Sequence, residues 1–127
     1  MLVRTINPFQ NSSTMGQSAG KIKGGYMKIK KLDQTNIMEN AHNVDARNLY
    51  DSEEAMVTVI TLKPGQRLKR HITPVNVVFF VLEGRGIVEI GDEKQEVDKH
   101  TLIESPKDIV HCWYNESDEP LMFMVIK

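Results

Sequence analysis

His71 and His111 are the side chains of this chain best placed for chemistry, because each stands in a short run of strand-like composition, residues 67–73 and 110–115. An imidazole titrates near pH 6.5 and is a common ligand for transition metals, so either residue can move a proton near neutrality or donate to a metal. Side chains alternate across a strand with period two. If His71 points inward, Arg67, Lys69 and Thr73 share its side, as Trp113 shares that of His111, and Val77, Phe79 and Val81 line the same interior. The result is a largely apolar pocket with two imidazoles, one hydroxyl, one indole and a cationic rim, the composition of a small-molecule site. Phe79, Val81 and Trp113 are equally expected as packing inside any small barrel. Lys69 and Arg67 stand where they would meet an anionic ligand at the mouth or simply form a solvated edge. No carboxylate shares the inward face with either histidine, and Glu104 joins them only if the turn around Ser105 and Pro106 aims it inward.

The elements that would hold these residues are short runs rich in Val, Ile, Thr and aromatics, at 56–62, 67–73, 76–82, 86–90, 95–97, 101–103, 110–115 and 121–126. Turn-forming stretches, PG, EGRG, GDE, SPKD and NESDEP, separate them. No segment of period 3.6 lies between the runs, so crossover helices and a parallel sheet are excluded and an all-β antiparallel sandwich or barrel remains. Eight strands suit a jelly roll. Residues 33–52 are polar with scattered Ile37, Met38, Val44, Leu49 and Tyr50, and are expected to wrap irregularly on the core. The expected organisation is a basic, flexible extension over 1–26, an irregular packing segment over 27–54 and a barrel over 55–127. The run MKIKKL at Met27 also reads as an alternative start of translation.

Two stretches resemble the motifs of the cupin family. The first motif is Gly, five residues, His, one residue, His, three or four residues, Glu, six residues, Gly; here GQRLKRHITPVNVVFFVLEG supplies Gly65, His71 and Gly84. The second is Pro, one residue, Gly, two residues, His, three residues, Asn; PKDIVHCWYN supplies Pro106, His111 and Asn115, with Asp108 where the glycine would be. The resemblance implies an antiparallel double-stranded β-helix in which His71 and His111 converge on an interior metal site for Mn, Fe, Ni or Zn. It also marks what is missing, for Thr73 stands at the second histidine and Val77, or Val78 at the longer spacing, at the glutamate. A valine donates nothing and a neutral threonine hydroxyl is a poor ligand, whereas protein sites for divalent metals use three or four good donors. His42 and His100 fall outside both motifs and read as surface residues.

The resemblance thus implies a small-molecule-binding domain with a degenerate two-histidine site, the alternative being a metalloenzyme of isomerase, epimerase or dioxygenase type that uses His71 and His111. Homodimers through sheet faces are common in such domains, and Val78, Phe80 and Leu82 would face outward if Val77, Phe79 and Val81 face inward. Composition agrees with an ordinary folded domain: 127 residues, 40% hydrophobic and 26% charged. No apolar run approaches the length of about 18 residues that spans a bilayer. With a single cysteine, Cys112, no internal disulfide can form, and the expected location is cytoplasmic. The net charge of −1 conceals an asymmetry, since residues 1–32 hold six of the 16 basic side chains and none of the 17 acidic ones. Nucleic acid is nonetheless not the expected partner, because no helix-turn-helix pattern accompanies the basic arm.

Overall fold

Runs of β-branched and aromatic residues fold as pleated strands where one face can be buried. The computed structural model describes residues 25–127, and the basic extension expected over 1–26 lies, but for its last two residues, outside them. The chain divides into two units, Met1–Lys31 and Leu32–Lys127. Of the first, the described residues 25–31 are exposed and form neither helix nor strand. The second opens with a 3-10 turn, Leu32–Gln34, and continues as nine strands: β1 Asp45–Asp51, β2 Met56–Leu62, β3 Arg67–His71, β4 Val77–Glu83, β5 Arg85–Ile90, β6 Glu93–Asp98, β7 Leu102–Ser105, β8 His111–Tyr114 and β9 Leu121–Ile126.

Two antiparallel sheets face each other, one in the order β1-β2-β9-β4-β7 and the other in the order β3-β8-β5-β6. Their inner faces meet in a core of Leu62, Leu68, Phe79, Val81, Val88, Trp113, Leu121 and Phe123. Trp113 lies at its centre, fully buried and stacked on Phe123 with ring centroids 4.1 Å apart. Among the described residues its Nε1 has no hydrogen-bond partner.

Eight of the nine strands fall on the runs read from the sequence. The ninth, β1, corrects the expectation of an irregular segment over 27–54: it pairs along β2 from Asp45 opposite Thr61 to Asp51 opposite Met56. As an edge strand it buries only Ala46 fully, so its sequence, DARNLYD, carries no apolar alternation.

A second difference sits between β3 and β8. Leu68 pairs with Trp113 and His71 with His111, three steps on β3 against two on β8, which defines a bulge. The extra residue reverses the alternation. Leu68 and His71 face inward together, while Arg67, Lys69 and Arg70 are exposed. Arg67 lies over the Tyr114 ring and Arg70 pairs with Glu89 at 2.9 Å, both on the outside of the second sheet.

Candidate functional site

Between the two sheets, on the side where β1 and β3 form the edges, lies a cavity of about 200 Å³. Its walls are mainly apolar, among them Met38, Val44, Met56, Leu68, Phe79 and Val125, and its polar side chains include Asn40, His42, Thr58, His71, Thr73 and His111. A larger cavity, about 550 Å³, opens between β5, β6 and β7. It holds Glu104 with Asp92 and Glu93 but no imidazole, so the chemistry belongs to the smaller one.

His71 ends β3 and His111 begins β8, and their paired register brings the rings together with Nε2 to Nε2 at 3.1 Å. Each ring is held from behind. His71 Nδ1 lies 2.7 Å from the Lys69 carbonyl oxygen, which can only accept, so Nδ1 carries the proton and Nε2 is bare in the neutral ring. The contact at 3.1 Å then requires His111 to donate from Nε2, which leaves its Nδ1 to accept from the Ser105 hydroxyl at 2.7 Å. A directed chain results: Ser105 to His111 to His71 to the Lys69 carbonyl. Thr73 Oγ1 stands 3.3 Å from His111 Nε2, and the Phe79 ring meets the His111 ring edge-on at 5.4 Å.

Burial first, then the neighbouring His71 and Lys127, holds His111 down at about 4, so it is neutral at pH 7. His42 is lowered for the same kinds of reason, burial first, then His71 and Lys69. His42 therefore is not the surface residue expected from its place outside the motifs. Its ring centroid is 5.1 Å from that of His71, and its Nδ1 accepts from the Lys69 backbone N–H at 2.8 Å. Asn40 positions it by closing the preceding loop: its Oδ1 accepts from the backbone N–H groups of His42 and Val44. No period or motif in the chain announces His42, because the loop that delivers it joins the cavity only through the unforeseen pairing of β1. Ser105 was missed as well, though its place beside Pro106 and opposite Val77 in the register explains its reach to His111.

Other residues singled out from the sequence separate into three groups. Thr73, Val77 and Phe79 line the cavity, whereas Val81 and Trp113 sit deeper, in the core. Val77 faces inward and Val78 outward, which selects the shorter motif spacing. Lys69 is turned out by the bulge and its Nζ bonds the Ala41 carbonyl at 3.3 Å. His100 is exposed and stacks on Phe80 on the outer side of the first sheet. Asn115 is buried and structural, donating to the carbonyls of Leu62 and Glu119.

The Asp108 substitution has a backbone explanation. Its φ is 66°, a left-handed conformation that glycine adopts freely and that Asp tolerates better than most residues. In that conformation its N–H donates to the Thr73 carbonyl at 2.9 Å, fixing the position of Thr73 at the cavity.

As a metal centre the site is incomplete. Two cis donors on a metal with bonds of about 2.0–2.1 Å lie roughly 2.9–3.4 Å apart, which the Nε2 pair meets. Yet among the described residues no group of three or more His, Cys, Asp or Glu side chains could hold a metal ion. The positions that would add donors carry a hydroxyl that contacts His111 and a valine.

The sequence profile of a family described as "Cupin domain" matches residues 58–127, more than half of the chain. No curated protein matches. Among solved structures, a protein from Thermus thermophilus is 27% identical, with a TM-score of 0.68 over 79% of this chain and 95% of that one. A conserved protein of unknown function from Streptococcus pyogenes is 24% identical, with a TM-score of 0.61 over 87% and 94%. A predicted oxalate decarboxylase from Thermotoga maritima is 14% identical, with a TM-score of 0.69 over 77% and 96%, a likeness of fold.

Proposed function

The chain belongs to the cupin domain family, and from that premise we propose that it is a small-molecule-binding cupin whose ligand enters the cavity between β1 and β3 and meets the His71–His111 pair. The observation that carries this reading is the pair itself. Two imidazoles joined at 3.1 Å, with their rear nitrogens fixed by Lys69 and Ser105, line a mainly apolar cavity. A pocket with a few convergent polar groups on apolar walls is the usual form of a small-molecule site. At about 200 Å³ it falls below the usual range of about 300–1,000 Å³, which points to a ligand of few atoms.

Isomerase, epimerase or dioxygenase chemistry at a metal held by His71 and His111 finds less support, since two donors fall short of a closed site. A second copy of the chain is the proposed macromolecular partner. Val57, Ile126 and Val78 form one cross-strand row on the outer face of the first sheet, and Met124, Phe80 and Leu102 another. Such a face is a natural isologous interface. No helix among the described residues is long and apolar enough to cross a membrane.

The test is a small-molecule screen read by the imidazole resonances of His71 and His111, repeated on Ala46→Phe, which fills the cavity wall. Compounds should shift both histidines in the natural protein and lose the effect in the filled variant. Hits that bind the filled variant equally well would place the ligand elsewhere.

A further inference from the structure

The identity of the groups around the cavity restricts the charge of what can enter it, an inference that rests on the small-molecule reading above. Its titratable side chains are His42, His71, His111 and Lys127, and no Asp or Glu lines it. The backbone of Lys127 is spent on pairing with Met56, donating to its carbonyl at 3.0 Å and accepting from its N–H at 2.6 Å. His42 adds a directed donor. Its Nδ1 accepts from Lys69, so the neutral ring carries its proton on Nε2, which has no partner among the described residues. The Thr73 hydroxyl is a second group able to donate, held in place by the Asp108 N–H on its own carbonyl. Apolar side chains, Met38, Val44, Met56, Phe79 and Val125 among them, make up most of the remaining lining. Among the lining side chains a cation would find no carboxylate to replace the water it sheds. An anion would find hydrogen-bond donors set among hydrocarbon.

We propose that the cavity takes a small monoanion with an apolar body, a short-chain or aromatic monocarboxylate, whose head group lies among His42, Thr73 and the His71–His111 pair. His42 is thereby a specificity residue that the family motifs do not contain. The loop held by Asn40 supplies it, whereas positions 73 and 77 lack the metal-ligating side chains of the motif.

Three probes with the same hydrocarbon body separate the possibilities: hexanoate, 1-hexanol and hexylammonium, titrated into the full chain with the imidazole resonances and calorimetry as readouts. Hexanoate should bind about tenfold or more tighter than hexanol, as expected for a hydrogen bond to a charged group, and hexylammonium should bind weakest. His42→Phe, which keeps the ring and removes its N–H, should bring hexanoate down to the level of hexanol while leaving hexanol unchanged. Thr73→Val provides the same comparison should His42→Phe fail to fold. Equal binding of hexanoate and hexanol would overturn the anion selectivity while leaving a small-molecule site. Tightest binding of hexylammonium would reverse the sign of the argument. Silence of the cavity resonances toward all three would remove the small-molecule reading and this inference with it.

Discussion

His111 is neutral in the folded chain over a pH range where a free imidazole would charge, and that difference couples stability to pH. Its folded value of about 4 lies below the ordinary 6.5, so between those limits the unfolded chain binds the proton and the folded one does not. Stability should therefore be fully present above about pH 6.5 and fall as the pH drops toward 4. Water at the cavity screens part of the effect, leaving roughly 1–2 kcal/mol. Urea denaturation between pH 4 and 8 should show this slope, and His111→Gln should flatten it; an unchanged slope would assign it to other groups. At the same scale, Thr73→His with Val77→Glu should turn two imidazoles into four donors, since Thr73 already touches His111 and Val77 lines the same cavity. Four-ligand zinc sites bind with about 10–16 kcal/mol, so a gain of about 100-fold or more over the natural protein is expected in calorimetric titrations with zinc, nickel and manganese. Equal affinities in a folded variant would mean that residues 73 and 77 do not reach the pair.

Among the elements, the turns were the most legible and the edges the least. Gly65 and Gly84 both hold positive φ, 87° and 79°, but only at Gly84 would a Cβ overlap the Pro120 carbonyl; at Gly65 nothing lies within 4 Å. Gly65→Ala should thus cost only the backbone strain of about 1 kcal/mol, and Gly84→Ala more than about 2 kcal/mol, measured as midpoint shifts in urea. Equal costs would show that the β4–β5 turn yields to Pro120. These glycines could be placed from sequence because turn chemistry is local. The core strands were legible for a similar reason, their alternation being written in Val, Ile and Phe. The edge strand β1 was not, because Asp45, Arg47 and Asn48 meet solvent or polar partners rather than the core, Arg47 pairing with Asp45 at 3.0 Å. Nor was the bulge in β3, since Lys69 and Arg70 look the same in sequence whether the strand is regular or not. That one extra residue turned Lys69 outward, and the loop before β1 brought Asn40 and His42 in, so part of the cavity's polar lining depended on pairings between distant segments.

For the whole molecule, the sheet β1-β2-β9-β4-β7 has two apolar surfaces and only one of them faces the core. Phe80 stands between Met124 and Leu102 on the other, and Leu102 is 55% exposed. Pairing of two copies through this face should bury it, with Phe80→Glu placing like charges opposite each other across a twofold axis. Sedimentation should show a dimer at micromolar concentration and a monomer for Phe80→Glu with an unchanged far-ultraviolet spectrum. A monomeric natural chain would mean that this face is not a contact between copies.

Trp113 gives the protein an optical probe of its own. It is the single tryptophan in the sequence, wholly buried, stacked on Phe123, and its indole N–H meets no acceptor among the described residues. An indole in such dry surroundings emits at the short-wavelength end of its range and shifts to the red once water reaches it. Phe79 touches both the Trp113 ring and the His111 ring edge-on, at 5.3 and 5.4 Å, so a guest molecule or a proton arriving at the cavity is one aromatic ring away from the fluorophore. The emission of the unlabelled chain should therefore report core opening as a change of colour and cavity occupancy as a change of brightness.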